Sequence, residues 1–493
     1  VTAGVVGLVL ALAACGSQLQ PEDLATAGAG TAQGGEVIDP ALGADPGTGT
    51  TGGSAGSTGS GTTGGSTGTG ATGATGATGS GSTSGSGGSG SAAAPADGGG
   101  GAKGTGENSA TGATAAGACD GFANQTGITD DKIVVGNASD ISGPVPGIFE
   151  SAQLGTRAYA AYFNSTGDIC GRKLEVLNLD SRADAGADQQ AYAQICEQAF
   201  AGVGSMSAFD QGGAATAQGC GLPDIRSTAI TSERTGCSTC FGAQSASNTM
   251  LPSATPKFLI SKFGGAAQKI AMIYIDVAAA AQATAAIKKS YEANGAKVVY
   301  YKGMDVSEFN YAPYVQEMKS AGVEMVYYTG PYQNTIKLQQ AMKQQGFDPI
   351  VYQDATVYDA GYVAEAGSLA EGTVAFLFND LFTNSGNKEM QLYASWLQQV
   401  KPGAQPSVYG LFAWSAARLF VERSIALGGK LSRESLVAEF AKTTDWTANG
   451  LHAPQAVKDK TTASCVKFVQ YTGGKWVQIS PGDYTCGPLT KVG

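Results

Sequence analysis

The sequence predicts an α/β fold built as two doubly wound parallel-sheet lobes. Three observations carry this. Compact apolar runs alternate with helix-forming stretches in units of about 27 residues. The runs are near-continuously apolar, as strands are when helices cover both faces of a parallel sheet. And two such blocks follow one another along the chain, each with material for its own sheet.

The first block opens with the strand and loop "KIVVGNASDISGP". The helix "ESAQLGTRAYAAYFNSTG" follows, with Leu154, Ala158, Ala161 and Tyr162 on one face. Then come the strand "RKLEVLNLD", the helix "ADQQAYAQICEQAF" and the short strand and loop "GVGSMSAFDQGG". The second block runs "KIAMIYID", "AAAAQATAAIKKSYEANG", "AKVVYYKGM", "YAPYVQEMKSAG", "VEMVYYTG", "QNTIKLQQAMKQQG" and "PIVYQD". Its helices are expected to end at Gly295, Gly322 and Gly346, since glycine suits the left-handed residue that closes a helix. Tyr300, Tyr301, Tyr327 and Tyr328 lie within these strands and read as core. Beyond lie the long helix "SVYGLFAWSAARLFVERSIALGG" and "SRESLVAEFAKT", capped by Ser432 with Glu434 in its first turn. Last, "VKFVQYTGGKWVQISPGDYT" reads as a hairpin turning at Gly473-Gly474.

The N-terminal part is of another kind. An apolar run from Val1 to about Ala14 is too short to span a membrane and ends in small residues, as a secretory signal does. Leu-Ala-Ala-Cys, residues 12–15, resembles the bacterial lipobox, which implies a diacylglycerol anchor on Cys15. Residues 16–118 are rich in Gly, Ser, Thr and Ala and are expected to form a disordered linker. Its most repetitive part, about 75 residues, would give an end-to-end distance on the order of 50 Å. That length suits a tether lifting a globular domain off a membrane.

Seven of the 40 acidic residues and one of the 30 basic residues precede Cys119. The globular part therefore carries 33 acids against 29 bases, a balance that argues against nucleic acid as a partner. Of nine cysteines, eight remain once Cys15 is assigned to lipid, and an exported chain is expected to pair them. Cys465–Cys486 would brace the hairpin, and Cys170–Cys196 would close a strand–helix unit. Cys119 would pair with Cys220, Cys237 or Cys240. With one histidine, His452, and a single CxxC at Cys237 and Cys240, disulfides fit better than a zinc site or redox motif. No metal or cofactor is expected.

From Ile128 to Val477 the chain resembles the type I solute-binding proteins of ABC transporters, in particular the branched-chain amino acid (Leu/Ile/Val) group. The stretches that carry the resemblance are "KIVVGNASDISGP", "GRKLEVLNLDSRAD", "GVEMVYYTGPYQN" and "AEAGSLAEGTVAF", in this order and spacing. The resemblance implies two lobes joined by three crossovers, closing on a small ligand without catalysis. It implies delivery to the permease subunits of an importer, by a monomer held at the outer face of the cell membrane. On this frame, residues 119–248 form the first part of lobe 1 and 249–378 the first part of lobe 2. Residues 379–445 complete lobe 1 and 446–493 complete lobe 2.

Ligands of open α/β sheets bind beyond the carboxyl ends of the strands. Reading those loops gives Phe149, with Ser142, after the first strand; Ser207, Phe209 and Asp210 after the third; and Thr231 and Ser232 after the fourth. In the second block it gives Tyr332 and Asp354. The resemblance implies that Ser207 and Thr231 hold a ligand carboxylate. It also places a tyrosine near Ala279 and a glutamate at Ala355, where this chain has alanines, and that departure speaks against an α-amino acid. A small polar ligand with an apolar or aromatic body is expected, with an amino acid recognised through Asp210 or Asp354 in place of that glutamate as the alternative. An enzyme lacks material: no nucleophile turn, phosphate-binding loop or zinc motif occurs. A sensor signalling to a membrane partner would share fold and site and differ only in that partner.

Overall fold

Strand β1 (Lys132–Ser139) is buried over most of its length because it lies inside a sheet. In the computed structural model, which describes residues 116–493, it pairs in parallel with β2 and β3. Cys15, the apolar run and nearly all of the Gly/Ser-rich stretch lie outside the described residues. The order onward is α1 (Glu150–Thr166), β2 (Lys173–Asp180), α2 (Ala185–Gln198), β3 (Ala201–Val203), α3 (Ala214–Gly219), β4 (Asp224–Ala229), α4 (Ser232–Gly236) and β5 (Cys240–Ser245). These strands form one parallel five-stranded sheet in the order β2-β1-β3-β4-β5.

The chain then crosses to a second body. It is built from β6 (Met250–Pro252), α5 (Ala254–Phe263), β7 (Ile270–Ile275), α6 (Ala278–Ala293), β8 (Val298–Met304), α7 (Ala312–Ser320), β9 (Met325–Thr329), α8 (Tyr332–Gln344), β10 (Ile350–Gln353), α9 (Ala360–Ala366) and β11 (Val374–Leu377). Helices α10 (Lys388–Val400), α11 (Val408–Leu427) and α12 (Arg433–Phe440) return to the first body. Strands β12 (Cys465–Thr472), β13 (Lys475–Gln478), β14 (Thr485–Cys486) and β15 (Leu489–Lys491) end the chain. The second sheet runs β13-β12-β11-β10-β9-β7-β8: parallel from β8 to β11, with the C-terminal hairpin added antiparallel. Gly473 and Gly474 both have positive φ, as the two-residue hairpin turn needs. The small strands β6 and β15 pair at the edge of this body.

Helix α11 is apolar around most of its circumference and accordingly lies inside lobe 1, against α1 and the sheet. A methyl group at Gly155 of α1 would sit 2.1 Å from the Gly410 carbonyl oxygen, so this crossing needs glycine. Trp414 packs edge-on to Tyr159 at 4.9 Å and donates its indole N–H to Glu389 Oε1 at 2.7 Å. The three crossings between the lobes are tied together. Ser247 N donates to Thr462 Oγ1 (2.8 Å), Ala453 N to the Phe378 carbonyl (2.7 Å), and Lys467 meets Asp380 at 2.7 Å.

Four expectations are corrected. The disulfides are Cys119–Cys170, Cys196–Cys220, Cys237–Cys240 and Cys465–Cys486, so Cys170 does not pair with Cys196. The sheet order explains this: Cys170 precedes β2 and Cys196 precedes β3, and β1 lies between them. Two strand spacings are roughly 10 Å, beyond disulfide reach. Cys119 reaches Cys170 instead of Cys220, Cys237 or Cys240. Residues 117 and 118, assigned to the linker, dock on the end of α11: Gly117 N donates to the Ile425 carbonyl, and Gly429 N to that of Ala118. And although Tyr327 and Tyr328 are buried, Tyr301 is 36% exposed because β8 is the edge strand.

Candidate functional site

The carboxyl ends of both sheets face a common cleft of about 560 Å³. Lobe 1 shapes its wall with buried carboxylates that tie strand-end loops together. Asp140, beyond β1, accepts from Ser181 Oγ (2.6 Å), Ala183 N (3.0 Å) and Ala208 N (2.8 Å), joining the loops after β1, β2 and β3. Asp210 accepts from Ile230 N, Thr231 N and Thr231 Oγ1 at 2.9, 3.2 and 2.5 Å, joining the loops after β3 and β4. Beneath them Arg234 donates its Nε to the Asp210 carbonyl (2.8 Å) and pairs with Asp188 and Asp224, each at 3.1 Å.

Four of the eight expected ligand residues line the cleft: Phe149, Phe209, Tyr332 and Asp354. The other four serve the scaffold. Ser207 is buried and its Oγ accepts from Phe209 N at 3.0 Å. Asp210 is spent on the Thr231 loop, and Thr231 caps α4. Ser232 is exposed and reaches the opposite lobe, where Gln282 Oε1 of α6 accepts its N–H (3.0 Å) and Oγ–H (3.2 Å). Asn248, in the first crossing, donates to the same Oε1 at 3.0 Å. Ser142 is held by Asp180.

Phe149 meets Tyr409 edge-on at 4.8 Å, and the two form the aromatic wall of lobe 1. Tyr409 sits in the first turn of α11, far along the chain from the strand-end loops, so scanning those loops passes over it. Only the helix-capping Ser407 marks that place in the sequence, and it too lines the cleft. Across the cleft, Tyr332 opens α8 and donates to Glu365 Oε1 at 3.1 Å. Asp354 lies just past β10, because the strand stops at Gln353. Its Oδ1 accepts from Thr356 N (3.0 Å) and Oγ1 (2.6 Å), while Oδ2 has no hydrogen-bond partner among the described residues. Burial pushes the Asp354 and Asp359 carboxyls above the usual carboxylate range. Ala279 and Ala355 both line the cleft, so neither position supplies a polar group. Among the described residues the lining holds Asp140, Asp354 and Asp359 and no Lys, Arg or His.

The cleft's chemistry is that of recognition: aromatic faces, hydroxyls and acceptors. His452 lies outside it, buried between Ser415 Oγ (2.7 Å) and the Ala453 carbonyl (2.9 Å), with no carboxylate on the ring. Among the described residues no group of His, Cys, Asp and Glu is arranged to hold a metal ion, and no helix is long and apolar enough to cross a membrane.

Residues 132–475 match the family described as periplasmic binding protein. Over 198 residues the chain is 23% identical to the Leu/Ile/Val-binding protein homolog 1 of Brucella suis biovar 1 (strain 1330), covering 40% of this chain and 50% of that protein. The chain thus spans half the length of that relative. Among solved structures, a fatty acid ABC transporter substrate-binding protein from Thermomonospora curvata superposes with a TM-score of 0.61 at 16% identity, covering 74% of this chain and 95% of that one. A solute-binding protein from R. palustris in complex with benzoate also gives 0.61, at 18% identity, covering 73% and 98%. At these identities the likeness shows the fold.

Proposed function

The chain belongs to the periplasmic binding protein family, and on that premise we propose that it is an extracytoplasmic solute-binding lipoprotein of an ABC importer. It is a monomer anchored through Cys15. It captures a small ligand between its lobes and presents it to permease subunits. The observation that carries this reading is the cleft, shared by the strand ends of both sheets and walled by Phe149, Tyr409, Tyr332 and Asp354. The related solute-binding proteins support it, with benzoate bound in one of them.

Without a cation in its lining, the cleft favours a ligand with an apolar or aromatic body and a polar group met by hydroxyls and backbone N–H groups. The unpaired Oδ2 of Asp354 favours a second reading, a ligand with an ammonium group. A thermal-shift panel of amino acids, amides, polyamines and aromatic acids separates the two. A binder present at about 100 Kd stabilises the fold by roughly 2.7 kcal/mol. For a cationic binder, Asp354→Asn raises Kd about ten- to a hundredfold, the worth of a charge-assisted hydrogen bond. Unchanged affinity rules the ammonium reading out. Unchanged affinity in both Phe149→Ala and Tyr332→Ala places the ligand elsewhere.

A further inference from the structure

The cleft does not end between the lobes. It continues into lobe 2 along the inner face of α6, where Ala279, Ala283, Ile287 and Ser290 line it at helical spacing. From Ala279 to Ser290 that face is about 16 Å long. Small side chains leave the space open, and the β9 strand and α5 close its far side through Tyr327 and Thr255. Three hydroxyls on this branch, Ser290 Oγ, Tyr327 OH and Thr255 Oγ1, have no hydrogen-bond partner within 3.5 Å among the described residues, Thr329 being the hydroxyl that lies near Tyr327. Their residues are 1%, 0% and 4% exposed. Buried polar groups are ordinarily paired, so three unpaired hydroxyls on one cavity mark a place where a polar atom of a guest belongs. Between them and the cleft mouth the lining is mainly alkyl and aromatic, with one carboxylate, Asp354, close enough to act on Tyr327 and on Tyr291 of α6.

We infer that this branch is a subsite for a linear aliphatic chain ending in an uncharged polar group, which lies along α6 with that group among Ser290, Tyr327 and Thr255. A hydroxyl can both give to and take from these three groups, so a primary alcohol or a protonated acid fits. A branched or short side chain would leave the inner hydroxyls unmet. The inference rests on the binding-protein reading and narrows its ligand class.

The test uses the full chain and two probes, 1-dodecanol and dodecanoate, in calorimetric titration beside the small polar panel. Dodecanol is expected to bind. Ala283→Phe, which fills the branch, should weaken it at least tenfold, and Ser290→Leu, which blocks the inner end, should do the same. A small ligand held at the cleft mouth should keep its affinity within about twofold in both variants. Should Ala283→Phe fail to fold, as judged by its melting temperature without ligand, Ser290→Leu carries the comparison alone. Dodecanoate binding that strengthens below neutral pH, where the acid is protonated, would support the uncharged end group. Small ligands binding while neither chain probe does would overturn the subsite and leave the solute-binding reading standing. Dodecanol affinity unchanged in Ser290→Leu would also overturn it. A chain that binds neither class would overturn both.

Discussion

Arg234→Met lowers the stability of the folded domain by about 3–5 kcal/mol, the cost of breaking a buried ion pair by removing one partner. Arg234 is fully buried, pairs with two aspartates, stacks over the Tyr192 ring at 4.3 Å and holds the Asp210 carbonyl. Methionine matches its length but leaves Asp188 and Asp224 in an apolar setting with less compensation. Burial already pushes the Asp188 carboxyl upward. The Lys288–Glu292 pair on the outside of α6 serves as the control. Its Lys288→Met variant should cost no more than about 0.5 kcal/mol, as expected of a partly exposed i,i+4 pair. Urea unfolding of both variants checks the contrast. Because Arg234 also braces the loops after β3 and β4, its loss should weaken ligand binding together with stability.

The second large effect is a loss of stability in mild acid that His452 carries. Burial lowers its pKa from the ordinary 6.5 to about 4. The ring is therefore neutral in the fold, accepting from the Ser415 hydroxyl and donating to the Ala453 carbonyl. Between pH 4 and 6.5 the unfolded chain binds a proton there that the folded chain does not. Stability is thus full above about pH 6.5 and is lost as pH falls toward 4, by about 3 kcal/mol in all. The raised carboxyls of Asp354 and Asp359 work the other way, gaining as pH falls. The readout is therefore the difference between wild type and His452→Gln in unfolding free energy at pH 7 and pH 4.5. The gap should narrow in acid; a constant gap would place the loss on other groups.

What the sequence made legible is what local pattern controls. Apolar runs such as "KIAMIYID" became central strands, and the Gly473-Gly474 turn set the hairpin register. Phe209, Tyr332 and Asp354 could be read as cleft residues because each sits just beyond a strand, where the chain must turn. Ser207 and Thr231 could not be told from ligand contacts, since Ser207 turns to Phe209 N and Thr231 to Asp210, which Arg234 holds within a salt-bridge network that closes only in three dimensions. The Cys170 partner depended on strand order, which no local spacing encodes. Tyr409 entered the site because α11 crosses back under Phe149. The α6 branch was hidden for a related reason. "AAAAQATAAIKKSYEA" reads as a run of helix formers, and its alanines show as an opening only when α5 and β9 stand opposite.

On the proposed function one ligand sits between the lobes and touches both. Hydrogen–deuterium exchange of the full chain, with and without a ligand taken from the thermal-shift panel, tests it most directly. Added protection is expected in both lobes at once: at residues 144–151 and 206–209 in lobe 1, and at 329–333 and 354–359 in lobe 2. Protection confined to one lobe, or appearing at the shallow depression near Gln340 and Ser368 instead, would contradict it.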